Sequence, residues 1–320
     1  MVERYHEGLP EAEKKGWKLS GRVKDISKAH RIDARQALAR FTVESILWSL
    51  QEVSNADFMV KGGLLHAQIQ RQTDDGDIAY FAPRTAVEIY GDVGAAAAHL
   101  RQHGILWSPG EVKPLDMGGK GSGYRIPIRA KIGPTRIDTH LDVGFGALPE
   151  GAVRKEFRSM FKGPSFMAWA QPWEAVAADK FAAVITLGMG NTRLKDYRDL
   201  LMLRGKGLDD RQVARALHRT MRERKADTAL LLGIPDGLSF EYADKETWAW
   251  RAMAAADGGL PLDFLDVVCS IRHWYADIQQ RLVELAAADA LEPRSHVAAP
   301  PLQPTDGNVY SLDAYRLRRA

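Results

Sequence analysis

"RQTDDGDIAYF", residues 71–81, sets three aspartates into four positions and then runs on as apolar residues. A turn accepts Asp-Asp-Gly readily, but it does not need another aspartate at the first strand position. Side chains alternate faces along a strand, so Asp75 and Asp77 share a face at the mouth of a strand that continues through Ile78 and Tyr80. Two carboxylates held close repel, and a cation lets both stay ionised. Mg²⁺ suits such a pair, because it takes hard oxygen ligands, keeps several waters and is completed by substrate phosphate. A third acid would allow two metal ions about 3.5–4 Å apart. Asp142 in "RIDTHLDVGFG" (136–146) is the candidate. Asp138, His140 and Asp142 all face one way there, and Asp142 lies deeper in the apolar run than its rival Asp138, where an acid is costly unless paired or metal-bound. The plainer reading is a polar loop at 73–76 and a half-exposed strand at 138–142. A calcium loop fits less well, since position 12 counted from Asp74 is Thr85 and supplies no bidentate glutamate.

The surrounding chain is of ordinary soluble composition, with 320 residues, 45% hydrophobic, 27% charged and a mean hydropathy of -0.29. That length suggests about two domains, with enough chain for a proper core. Cys269 is the single cysteine, which excludes an intramolecular disulfide and suits a reducing cytoplasm. No signal-peptide core or membrane-length apolar run is present, so a cytoplasmic protein is expected. The 44 basic against 41 acidic residues permit a nucleic-acid partner without arguing for one.

Apolar spacing predicts a helix over 23–53, carried by Leu38, Phe41, Ile46, Leu47, Leu50 and Val53. "DFMVKGG" reads as a short strand ending in a glycine turn, "LLHAQIQRQ" as a short helix, "DIAYF" as a second strand and 85–104 as a helix. After a glycine-rich hairpin at 118–123, "YRIPIRAKIG" and "TRIDTHLDVGF" read as paired strands. From Trp173 the texture turns helical, ending in a helix from about Phe264 to Leu285 with Val267, Val268, Ile271, Trp274, Ile278 and Leu282 inward. The expected outline is an α+β domain over 1–150, an all-helical domain over 151–289 and a mobile, Pro-containing tail over 290–320.

Glycine turn, helix, Asp-x-Asp on a strand and a third acid on a later strand form an order that resembles the DNA polymerase β-like nucleotidyltransferase superfamily. More closely, the sequence resembles the AbiEii family of nucleotidyltransferase toxins from bacterial type IV toxin–antitoxin and abortive-infection systems. The residues carrying the likeness are "KGG" (61–63), "RQTDDGD" (71–77), "DVGFG" (142–146), "ADKFAAV" (178–184) and "NTRLKDYRDL" (191–200), in that order. The resemblance implies a polymerase β-like core with a mixed sheet and an all-helical C-terminal domain. It also implies a Mg²⁺-dependent enzyme that moves a nucleoside monophosphate from an NTP to an acceptor, with tRNA as a candidate acceptor, and releases pyrophosphate. A winged-helix antitoxin encoded nearby would be its partner. Asp75, Asp77 and Asp142 would be catalytic and metal-binding, and Lys180 and Asp196 catalytic. Lys61, Gly62, Gly63, Arg71, Thr73, Arg193 and Lys195 would bind nucleotide. Four positions depart from the family pattern: Leu64 replaces a hydroxyl residue, Gly76 a bulky aliphatic, Asp179 a glutamate and Ala147 an acid. The alternatives are a small-molecule, antibiotic-type nucleotidyltransferase and a non-catalytic interaction protein with the same fold.

Lys180 stands on an otherwise apolar helical stripe with Val176, Val184 and Leu187. Its own residues read as a snorkelling stem, whereas the resemblance makes it a grip on the triphosphate. Asp196 and Asp199 are three apart and therefore neighbours on a helix, and the resemblance favours Asp196. Arg211, Arg215, Arg219 and Arg222 line one helix face, which a solvated surface explains most simply and an RNA-phosphate track explains more sharply. His66 reads as packed, and His140 as a supporting neighbour of Asp142.

Overall fold

The computed structural model describes residues 10–66, 73, 75–115, 123–257 and 259–289. The chain divides into two compact units that meet between Gln171 and Pro172. The first unit holds helices α1 (Glu11–Ala29), α2 (Ala34–Ser54) and α3 (Ala86–Gln102). Its strands are β1 (Phe58–Val60), β2 (Gly76–Tyr80), β3 (Ile105–Pro109), β4 (Lys113–Pro114), β5 (Gly123–Ile132), β6 (Thr135–Phe145), β7 (Val153–Arg158) and β8 (Ser165–Ala170). They form one mixed sheet in the order β3-β5-β6-β2-β1-β8-β7, with β4 also on β5. The β2–β6 and β1–β8 pairs are parallel, and the others are antiparallel. The join expected near residue 150 therefore lies some twenty residues later, because β7 and β8 pair with each other and close onto β1 before the helical part begins.

Period-two alternation gives this sheet two unlike faces. Phe58, Val60, Ile78, Ile126, Ile128, Leu141 and Val143 point to one side and are at most 1% exposed. Helices α1, α2 and α3 pack against that side of the strands, with Leu38, Phe41, Ile46, Leu47 and Leu50 of α2 buried. Each such side chain contributes about 1.5–3 kcal/mol by leaving water. The residues between them, Asp77 on β2, Arg125 and Arg129 on β5, and Asp138, His140 and Asp142 on β6, occupy the opposite face by register.

The helix expected over 23–53 is two helices. Arg31 is left-handed with φ of 55°, and Asp33 caps α2 by accepting from the N–H groups of Arg35 and Gln36. Val53, expected inside, is 39% exposed in the last turn. Residues 62–66 make a short 3₁₀ helix, and the rest of the helix expected there lies outside the described residues. So does most of the hairpin expected at 118–123, and so does the tail.

In the second unit every described regular element is helical: α4 (Trp173–Leu187), α5 (Leu194–Arg204), α6 (Asp210–Glu223), α7 (Phe240–Asp257) and α8 (Phe264–Asp289), with short 3₁₀ turns between. Helix α8 packs on α5, α6 and α7, and all six residues expected on its inner face are buried. Stacked aromatics fill the interior, with Tyr197 on Tyr242 at 5.3 Å and Trp250 on Phe264 at 4.8 Å between centroids.

Gly76 is decided by packing. A Cβ built on it would lie 2.6 Å from Val43 Cγ1 and 2.8 Å from Leu141 Cδ1, so the strand lies hard against α2 with no room for a side chain. Restoring a bulky aliphatic by Gly76→Val should cost about 1–3 kcal/mol through overpacking, and Val43→Ala in the same chain should recover part of it. Urea midpoints of the two variants check this. A Gly76→Val protein as stable as wild type would contradict the packing explanation.

Candidate active site

The acids meet through sheet register. Asp77 on β2 is the direct partner of Asp142 on β6. Parallel partners project to the same side, so the two carboxylates stand on strands about 4.8 Å apart. Asp75 lies one residue before β2. His140 Nε2 is 3.8 Å from Asp75 Oδ2 and 3.9 Å from Asp142 Oδ2, placing the imidazole between two of the acids.

The opposing charge comes from Arg125 on β5, the antiparallel partner of Asp142. Its Nε donates to Oδ1 and its Nη2 to Oδ2 of Asp142, both at 2.7 Å. This is the bidentate, charge-assisted geometry that arginine favours. The Asp142 hydrogen bonds raise the Arg125 pKa above its ordinary value, and the charges of Asp142, Asp75 and Asp77 raise it further. All three acids therefore act on this one guanidinium. Arg125 carried no signal as an isolated residue. The two-residue turn at Gly133-Pro134 fixes the β5–β6 register, however, and counting outward from the Ile132–Thr135 pair brings Arg125 opposite Asp142.

The glycine turn lies against the same acids. The Lys61 N–H donates to the Asp77 carbonyl at 2.8 Å. Gly62 has φ of +56°, and a Cβ on it would stand 2.9 Å from Asp77 Oδ2. A Cβ on Gly63 would stand 2.3 Å from Thr73 Oγ1. Gly62 is thus required by its left-handed backbone and by close approach, and Gly63 by close approach. The Thr73 hydroxyl donates to Asp75 Oδ1 at 2.5 Å, so Thr73 is buried and positions an acid. Leu64 is only 3% exposed, and the Thr73 hydroxyl lies against Gly63. Arg71 and the side chain of His66 lie outside the described residues.

Among the described residues, no group of three or more His, Cys, Asp or Glu side chains forms a ready-made metal site. The donor chemistry nonetheless fits a hard divalent cation. Three carboxylates share one sheet face, the Asp75 side chain is 51% exposed, and both Asp142 oxygens already face a positive charge, the Arg125 guanidinium.

In the second unit Lys180, Asp196 and Arg193 come together with Asp199. Lys180 on α4 is neither a snorkelling stem nor an open cation, because its side chain is only 12% exposed. Its ammonium lies 2.5 Å from Asp196 Oδ1 and 2.9 Å from Asp199 Oδ2 on α5. Asp196 and Asp199 are buried at 2% and 0% exposure, so Asp199, ranked below Asp196 on sequence, shares the lysine with it. Arg193 Nε adds a contact to Asp196 Oδ2 at 2.9 Å while remaining exposed, and Lys195 is exposed. Asp179 pairs with Arg224 at 2.8 Å. Arg211, Arg215, Arg219 and Arg222 are exposed on α6 opposite buried Val213, Leu217 and Met221, as a solvated face requires.

The sequence model of a protein family described as "Nucleotidyl transferase AbiEii toxin, Type IV TA system" matches residues 46–277. Two solved structures from Helicobacter pylori are similar at low identity. The crystal structure of JHP933 is 13% identical with a TM-score of 0.43, covering 78% of this chain and 96% of its own. That of a putative nucleotidyltransferase is 12% identical with a TM-score of 0.44, covering 76% of this chain and 96% of its own. No curated protein matches the chain.

The burial of Lys180 changes what its removal should do. Lys180→Met leaves two carboxylates in the interior without their ammonium, which should cost about 3–5 kcal/mol. Adding Asp199→Asn should recover part of that loss. Urea unfolding followed by circular dichroism measures both. A Lys180→Met protein within about 1 kcal/mol of wild type would show that the lysine does not hold these acids.

Proposed function

Since the chain belongs to the AbiEii family of nucleotidyl transferase toxins of type IV toxin–antitoxin systems, we propose that it transfers a nucleoside monophosphate from an NTP to an acceptor hydroxyl and releases pyrophosphate. The observation that carries this reading is the pairing of Asp77 with Asp142 in parallel register, with Gly62 pressed on the Asp77 carboxylate. That arrangement places a glycine turn able to approach phosphate beside a set of oxygen donors.

Asp75 and Asp77 would hold Mg²⁺, with Asp142 as a third oxygen donor or as the base that takes the proton of the acceptor hydroxyl. Bound there, the cation supplies charge neutralisation for the triphosphate and for the departing pyrophosphate. The chain's own work is positioning. Lys61, Gly62 and Gly63 form the turn that approaches the phosphates, Thr73 fixes the Asp75 carboxylate, and His140 stands between Asp75 and Asp142. Such transfer needs little covalent chemistry from the protein, so alignment and charge account for most of the rate. Arg193 and Lys195 are cations at the surface of the second unit and suit phosphate contact. Lys180 and Asp196 serve architecture in this reading, with their burial as support. The family implies an antitoxin partner. RNA, tRNA included, is the acceptor proposed, and the setting proposed is the cytoplasm; among the described residues, no helix is long and apolar enough to cross a membrane.

The test is incubation with each labelled NTP, Mg²⁺ and total cellular RNA, with wild type beside Asp77→Asn. Wild type should label RNA. The variant should label none while melting at the same temperature or higher, because one of three repelling carboxylates is gone. Near-normal turnover in Asp77→Asn would remove the acids from the mechanism.

A further inference from the structure

The sheet face that carries the acids does not end with them. Along β6, Arg136 and Asp138 alternate outward on the same side as His140 and Asp142, and along β5, Arg129 and Lys131 follow Arg125. Lys113 on β4 is the register partner of Arg125, so it joins this face too. Arg101, at the end of α3, lines one concavity of about 550 Å³ with Arg129, Lys131, Arg136 and Asp138. Five exposed cations thus accompany a single further carboxylate, Asp138. Among the described residues, none of Lys113, Arg101, Arg129, Lys131 and Arg136 makes an ion pair, whereas Arg125 is occupied by Asp142.

We propose that this basic strip is where the phosphodiester backbone of a nucleic acid docks, so that the acceptor end is led to the carboxylates. The proposal rests on the transferase reading above and adds the path of the acceptor to it. Alternate residues on a strand repeat at about 6.7 Å, comparable with the spacing of successive phosphates along a nucleic-acid strand. From Arg125 to Lys131 the strip covers roughly 20 Å, several nucleotides of backbone. Arginine predominates, and its planar fork binds phosphate oxygens in pairs. A rigid antiparallel pair of strands also holds its cations at fixed separations, so little side-chain order has to be gained on binding. The other basic surface, Arg215, Arg219 and Arg222 on α6, shares its concavity with Glu223 and Leu285, and Arg211 of that stripe faces Glu284 at 3.6 Å. The β5–β6 strip continues along the strand that carries Asp142 and the strand paired with it, so it is the better track.

The experiment is fluorescence anisotropy of labelled total tRNA with the full chain, from about 50 to 200 mM KCl. Wild type, Arg129→Ala/Lys131→Ala/Arg136→Ala and Arg215→Ala/Arg219→Ala are compared, each with its melting curve. Wild type should bind at low salt with an affinity that falls steeply as salt rises. The strip variant should lose at least about tenfold in affinity, and the slope of log affinity against log salt should shrink by about 2–3 as those phosphate contacts vanish. The α6 variant should bind as wild type does. The proposal is overturned if the folded strip variant keeps the wild-type affinity and slope, or if the loss follows the α6 variant. It is equally overturned if wild type ignores RNA but binds polyglutamate, which would assign the strip to an acidic protein. Transfer is read separately. A wild type that binds RNA through the strip yet transfers no nucleotide would sink the transferase reading and leave the docking surface standing.

Discussion

The parallel register of β2 on β6 is the constraint on which the first unit turns. It sets Asp77 against Asp142 on strands about 4.8 Å apart and brings Asp75 in from the preceding bend, placing three negative charges on one face. Like charges that close would be untenable on bare hydrocarbon. Arg125 answers from the neighbouring strand, with both of its forked bonds on Asp142. The apolar face of the same strands fixes the register from behind. A slip of one residue would turn Ile78, Leu141 and Val143 outward and the acids into α2. The tight fit of Gly76 between Val43 and Leu141 sharpens that setting.

Charge is handled differently in the two units. On the sheet the acids are reachable, with Asp75 half exposed and the glycine turn beside Asp77. In the helical unit Asp196 and Asp199 are almost wholly buried around one lysine. A buried triad of this kind ties α4 to α5, and its cost falls due when one partner is removed. On the sheet, a partly exposed anionic cluster is offset by a single guanidinium, and in the function proposed that partner gives way to another cation. In that proposed function the sheet acids do the chemistry and the helical acids hold helices together.

Much of this was legible in the sequence, and the legible parts share a cause. Asp75, Asp77 and Asp142 stood out because strand alternation is local and an acid in an apolar run has few innocent explanations. The inner face of α8 followed from its spacing alone. What escaped depended on pairing at a distance. Strands β7 and β8 are short, and their place in the sheet comes from contact with β1 across a hundred residues. Gly76 stood out only as a departure from the family pattern, because nothing local shows that Val43 fills the space beside it. Lys180 read as a snorkelling stem on its own residues and as a triphosphate grip by resemblance, and neither reading showed its partners, which lie a helix away on α5. Helix α7 went unseen. Its buried positions, Tyr242, Ala243, Trp250 and Ala254, make a sparse stripe beside an exposed Trp248.

The claim that three carboxylates share one cation-binding face, with Arg125 standing in for a metal, is tested most directly by metal titration without turnover. Mn²⁺, which reports its own binding by electron paramagnetic resonance, can be titrated into wild type, Asp77→Asn and Arg125→Ala. Asp77→Asn should weaken binding by about tenfold or more through the loss of an anionic ligand. Arg125→Ala should tighten it, because a competing cation has been taken off Asp142 and its field removed from all three acids. Unchanged affinity in Asp77→Asn, or weaker binding in Arg125→Ala, would contradict that claim.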